Sequence, residues 1–141
     1  MTTLKIHNLE TAPEGSKALL ENSLKANGMA GAPGLLEAYQ TLHKLFMDSS
    51  SFDKDELTVV WQTINVEHAC HYCVPAHTGI AKMMKVDDAI TEALRNETPL
   101  ENPKLEALRK LTLTIVRNRG HVSPEDLKAF YAVGYGERQV L

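Results

Sequence analysis

What this chain lacks narrows it before any motif is considered. It has only two cysteines in 141 residues, and both lie in one short stretch, so no framework of disulfides staples the fold. No apolar run approaches the length of a membrane span. No basic stripe or run occurs, and the formal net charge is −3, which argues against a general affinity for nucleic acid. The opening Met1-Thr2-Thr3-Leu4-Lys5 has no signal-peptide apolar region, so the expected location is cytoplasmic, where thiols are kept reduced. There is no internal repeat, no linker, no low-complexity tract and no second CxxC.

What remains is ordinary for a globular protein. Apolar residues make up 43% and charged residues 23%, and the length suits one domain with a core of its own. Residues 1–141 therefore read as a single domain, with 1–12 as an extended or frayed arm.

The periodicity is helical throughout. Pro13-Glu14 opens a helix carrying Ala18, Leu19, Leu20, Leu24 and Ala26, stopped by Asn27-Gly28. A second helix, about 33–47, places Leu35, Leu36, Tyr39, Leu42, Leu45 and Phe46 on a stripe expected to be buried. Phe52-Asp53-Lys54-Asp55-Glu56 carries the signature of a staple and capping box, and the helix it opens runs to Val66. β-Branched residues make a strand the competing reading of 57–66; length and the clean start favour helix. Asp87 caps a helix over 88–96. A long helix follows over about 103–119, ending in Arg117-Asn118-Arg119-Gly120. Ser123-Pro124-Glu125-Asp126 starts the last, with Leu127, Phe130, Tyr131 and Val133 inward. The fold class is all-α, with five to seven helices.

The chemistry is concentrated in Glu67-His68-Ala69-Cys70-His71-Tyr72-Cys73-Val74-Pro75-Ala76-His77, which holds both cysteines and three of the six histidines. An unbroken helix through this stretch would drive the Pro75 ring into the carbonyl of His71, and Val74 is biased away from α. A break near 68–71 and a new helix from about Tyr72 to Lys85 resolve the conflict. The CxxC then lies at a helix N-terminus, where the macrodipole favours a thiolate.

A redox dithiol needs one thiol that ionises easily and a second within reach. Cys73 sits deeper in the first turn with His77 one turn beyond, so it is the candidate to meet an oxidant and become a sulfenic acid. Cys70 would resolve that acid or meet the reductant. His77 would take or return the proton, and Glu67 would hydrogen-bond His77 or relay protons. The rival is zinc held by Cys70, Cys73 and His77 with His71, His68 or Glu67, in a binding module without catalysis. Tyr72 and Trp61 read as packing, Met83 and Met84 as core or interface, and His7, His43 and His121 as surface.

These residues resemble the CxxCxxxH signature of the AhpD-like alkylhydroperoxidases within the carboxymuconolactone decarboxylase family. Val59-Val60-Trp61-Gln62-Thr63-Ile64-Asn65-Val66 is similar to that family's lead-in helix, and the resemblance is most specific over 52–84. It implies an AhpD-like helical bundle without metal or organic cofactor, and homo-oligomers (dimer, trimer or hexamer). It also implies a hydroperoxide substrate and a dithiol reductant, lipoyl or thioredoxin-like. By the family pattern Cys73 is the cysteine oxidised, Cys70 its partner and His77 the activating histidine, and His71 matches a histidine inside the motif. A non-redox decarboxylase is the family's other branch, for which a dithiol has no use. Two departures stand out. The glutamate that many relatives carry twelve residues before the first motif cysteine is Thr58 here, with Glu56 on another face and Glu67 as the expected substitute. Relatives also continue into a further apolar helix beyond Val140-Leu141, whose absence would leave apolar surface for a partner subunit to cover.

Overall fold

The structure is a computed structural model that describes residues 10, 11, 14, 17 and 33–141. Apart from those isolated positions, the expected arm over 1–12, the helix from Pro13 to Ala26 and His7 lie outside the described residues. Among the described residues there are six α-helices, one 3-10 turn and no strand, so the chain is all-α and the strand alternative for 57–66 is excluded. No helix among them is long and apolar enough to cross a membrane.

The chain divides into two compact units, Met1–Ser50 and Ser51–Leu141. In the first, α1 spans Pro33–Ser49. Its apolar stripe departs from expectation. Leu36 is fully buried, but Leu35, Leu42 and Leu45 are 59%, 68% and 54% exposed, and Tyr39 and Phe46 are only half-buried. Helical spacing decides which residues share a face; it does not supply anything to cover that face.

The second unit holds α2 (Lys54–Glu67), α3 (Cys73–Met83), α4 (Asp88–Arg95), α5 (Pro103–Arg117), α6 (Pro124–Ala132) and the 3-10 turn Glu137–Gln139. Each α-helix except α3 starts on a side chain that satisfies orphan N–H groups. Asp53 accepts from the N–H of Asp55 and Glu56, and Glu56 returns the bond to Asp53 N–H at 2.9 Å. Asp87, Asn102 and Ser123 do the same for α4, α5 and α6.

The ends are equally regular. Ala69, Lys85, Glu97 and Arg119, directly after the C-caps of α2, α3, α4 and α5, all have left-handed backbone, with φ of 48°, 58°, 56° and 54°. Each turn is closed by paired backbone bonds, as when Ala69 N–H donates to Val66 O and Cys70 N–H to Asn65 O. A non-glycine residue there costs about 1–2 kcal/mol, so the closing bonds and the packing beyond them hold these turns in place.

α2 is the hub: it packs on α3, α4 and α5, while α6 packs on α5 and α4 on α3. The core comprises Val59, Leu94, Leu100, Leu105, Leu108, Leu111, Phe130 and Tyr135, with Phe130 and Tyr135 stacked at 4.3 Å. Glu56 is buried beside this core, its charge answered by Lys104 Nζ at 2.9 Å. Burial, and then the negative charge of Glu56, push the Tyr135 hydroxyl above the usual phenol range. The last residues are tied down: Gln139 Nε2 donates to Ser51 Oγ at 2.7 Å, and Val140 packs against the core.

Candidate functional site

One residue, Cys70, both closes α2 and leads into α3. Its N–H completes the end of α2 on Asn65 O, and its carbonyl accepts from Val74 N–H at 3.1 Å. The left-handed turn at Ala69 between them aims the cysteine across the start of α3. Cys70 and Cys73 are joined by a disulfide with Cα atoms 5.3 Å apart, well inside the range such a bond allows. Pro75 is the third residue of α3, in the first turn where its missing N–H is not needed, as the sequence predicts.

The donor geometry adds something the sequence did not. The backbone N–H of Cys73 donates to Cys70 Sγ at 3.1 Å. Cys70 Sγ thus accepts from the first N–H of α3, a place where a thiolate would gain both a hydrogen bond and the positive end of the helix. Cys73 lies inside the first turn with His77 one turn beyond it. His77 is half-buried, and its ring packs on Trp61 at 5.2 Å between centroids, tilted by 53°. Helical periodicity marks Trp61 as packing, yet its partner is the candidate proton carrier His77.

Gln62 was missed by sequence reasoning altogether. It is fully buried on α2, and its amide donates to Val74 O and to Thr78 Oγ1, each at 2.9 Å. Its carbonyl accepts from Asn65 Nδ2 at 3.2 Å. The helix that carries the disulfide is therefore latched to the hub helix by one side chain. A buried polar residue between Trp61 and Thr63 was the only signal available, and it named no partner.

Glu67 differs from its expected use. Both its oxygens are taken by Arg117, at 2.8 Å to Nε and 2.7 Å to Nη2, rather than by His77. The physical reason is reach: α2 and α5 run side by side, and a guanidinium offers a carboxylate a two-pronged match. The Arg117 hydrogen bonds hold the Glu67 carboxyl below its ordinary value of 4.5. Because the folded value is the lower one, the pair stabilises the fold above the ordinary carboxylate value and loses that effect as pH falls through the folded value. Arg117→Ala should therefore lower the urea midpoint at pH 7, by a small margin that shrinks with salt. The gap to wild type should close on acidification; a gap that persists at pH 2 would assign the loss to packing instead.

The other candidates fall as follows. His68, His71 and Tyr72 are exposed, Tyr72 to 52%, so Tyr72 is not the buried residue expected. Thr58 is buried and donates to Lys54 O at 2.9 Å. Met83 is 76% exposed. Cavities of about 560, 300 and 210 Å³ occur elsewhere on the unit, and none of the three borders either cysteine. Among the described residues no three of His, Cys, Asp and Glu converge to hold a metal ion. The sequence matches no family model and no curated protein.

Proposed function

We propose that this chain is a thiol-dependent peroxidase and disulfide oxidoreductase of the AhpD-like kind, reducing hydroperoxides through Cys70 and Cys73. The observation that carries the reading is the CxxC disulfide at the start of α3, with the Cys73 N–H directed at Cys70 Sγ. In the reduced state His77 takes the Cys73 proton. The Cys73 thiolate attacks the terminal peroxide oxygen, the O–O bond breaks, and the departing alkoxide takes that proton to leave as alcohol. Cys73 is then a sulfenic acid. The Cys70 thiolate attacks the Cys73 sulfur, hydroxide leaves and is protonated to water, and the disulfide closes. An external dithiol, lipoyl or thioredoxin-like, returns two electrons and two protons. Glu67 has no step here, since Arg117 holds it, and His71 remains an exposed neighbour of the dithiol.

The reading includes a cytoplasmic location, where reductant is plentiful, and self-association as a dimer, trimer or hexamer. The exposed Leu35, Leu42 and Leu45 support the latter. Turnover of an organic hydroperoxide with a dithiol reductant tests the proposal: equal rates for wild type and Cys73→Ser would remove it.

A further inference from the structure

The disulfide borders none of the three cavities described above. The segment that holds it is unusual in sequence. From His68 to Val86 there is no aspartate or glutamate, in a chain with more carboxylates than cations overall. Over the same residues lie Lys82 and Lys85, both exposed. Tyr72, just before α3, and Pro75, Gly79, Lys82 and Met83 on it recur at helical spacing, and all five are exposed. This strip is apolar or small in its middle and cationic at its far end. It begins at the dithiol and extends roughly 15 Å at the helical rise per residue. A Cβ at Gly79 would meet nothing within 4 Å, so the strip is open at its centre.

We propose that this face of α3 docks the reductant, and that the reductant is a protein dithiol presented on a surface with an apolar centre and an acidic rim. The inference rests on the redox reading above and names its second substrate. A small thiol would need neither the strip nor its charge. A carboxylate-free, lysine-bearing strip draws an acidic partner and repels a basic one. In the docked complex a thiolate of the partner attacks Cys70 Sγ, and a mixed disulfide forms as the Cys70–Cys73 bond breaks. The electron pair leaves on Cys73, at the positive end of α3. The second thiol of the partner, as thiolate, attacks the partner's own sulfur in the mixed disulfide and releases Cys70. Two electrons and two protons pass from the partner dithiol to Cys70 and Cys73, and the partner leaves as a disulfide.

The test uses the oxidised full chain and three reductants: dithiothreitol, a CxxC peptide flanked by four glutamates, and the same peptide flanked by four lysines. The glutamate peptide should reduce the disulfide at least about tenfold faster than the lysine peptide at low salt, with the difference collapsing at high salt. Lys82→Glu should erase or invert that preference, and Gly79→Trp should slow both peptides, while dithiothreitol reduces all three chains alike. Equal rates for the two peptides, or a preference untouched by Lys82→Glu, would overturn the docking proposal. A dimer of the wild-type chain that Gly79→Trp dissociates would also overturn it, by assigning the strip to a second copy. Failure of dithiothreitol to reduce wild type would instead overturn the redox reading beneath it.

Discussion

Replacing Cys73 with serine should abolish dithiol-dependent hydroperoxide turnover, lowering the rate by about a thousandfold or more. A serine hydroxyl one turn before His77 has no accessible anion at neutral pH and cannot carry the sulfenic state. Cys70→Ser should behave differently. It keeps the attacking sulfur, so it should consume about one equivalent of hydroperoxide in a burst and then stop, because no thiolate remains to close the disulfide. The contrast separates the two roles. A burst from Cys73→Ser and none from Cys70→Ser would exchange them, an outcome made concrete by the bond from Cys73 N–H to Cys70 Sγ.

The second large effect belongs to Gln62. Gln62→Leu keeps the side-chain volume close to native but removes the donors to Val74 O and Thr78 Oγ1 and the acceptor for Asn65. Three hydrogen bonds at a fully buried amide, each worth about 1 kcal/mol net, put the loss near 2–3 kcal/mol. For a unit of this size that lowers the melting temperature by roughly 10 °C or more. The loss should also be local. Amide exchange should rise in α3, whose attachment to α2 is cut, before it rises in α5, which the core Leu105, Leu108 and Leu111 still hold. A variant with unchanged melting and unchanged exchange in α3 would mean that apolar packing alone seats the disulfide helix.

How far the sequence could be read depended on whether the partner was local. The starts at Asp53, Asp87, Asn102 and Ser123 are written in side chains two or three residues from the N–H groups they satisfy. The break before α3 was equally legible, since Pro75 cannot sit inside a continuous helix. Contacts between helices were not. Nothing near Glu67 in the chain announces Arg117, fifty residues on, so proximity to the cysteines pointed to the wrong partner. Gln62 was silent because what it holds, Val74 O, is a backbone atom that no residue pattern encodes. Trp61 was read for its bulk, when its ring lies against His77. The exposed Leu35, Leu42 and Leu45 make the same point for α1: amphipathy orders a face without naming its cover.

The account stands on Cys70 and Cys73 cycling between dithiol and disulfide, and alkylation with mass measurement tests that most directly. After reduction with dithiothreitol and its removal, the chain should accept two alkyl groups. After addition of one equivalent of an organic hydroperoxide, quenched in acid before alkylation, it should accept none and remain a monomer in covalent mass. Two alkyl groups still accepted after the hydroperoxide would contradict the account.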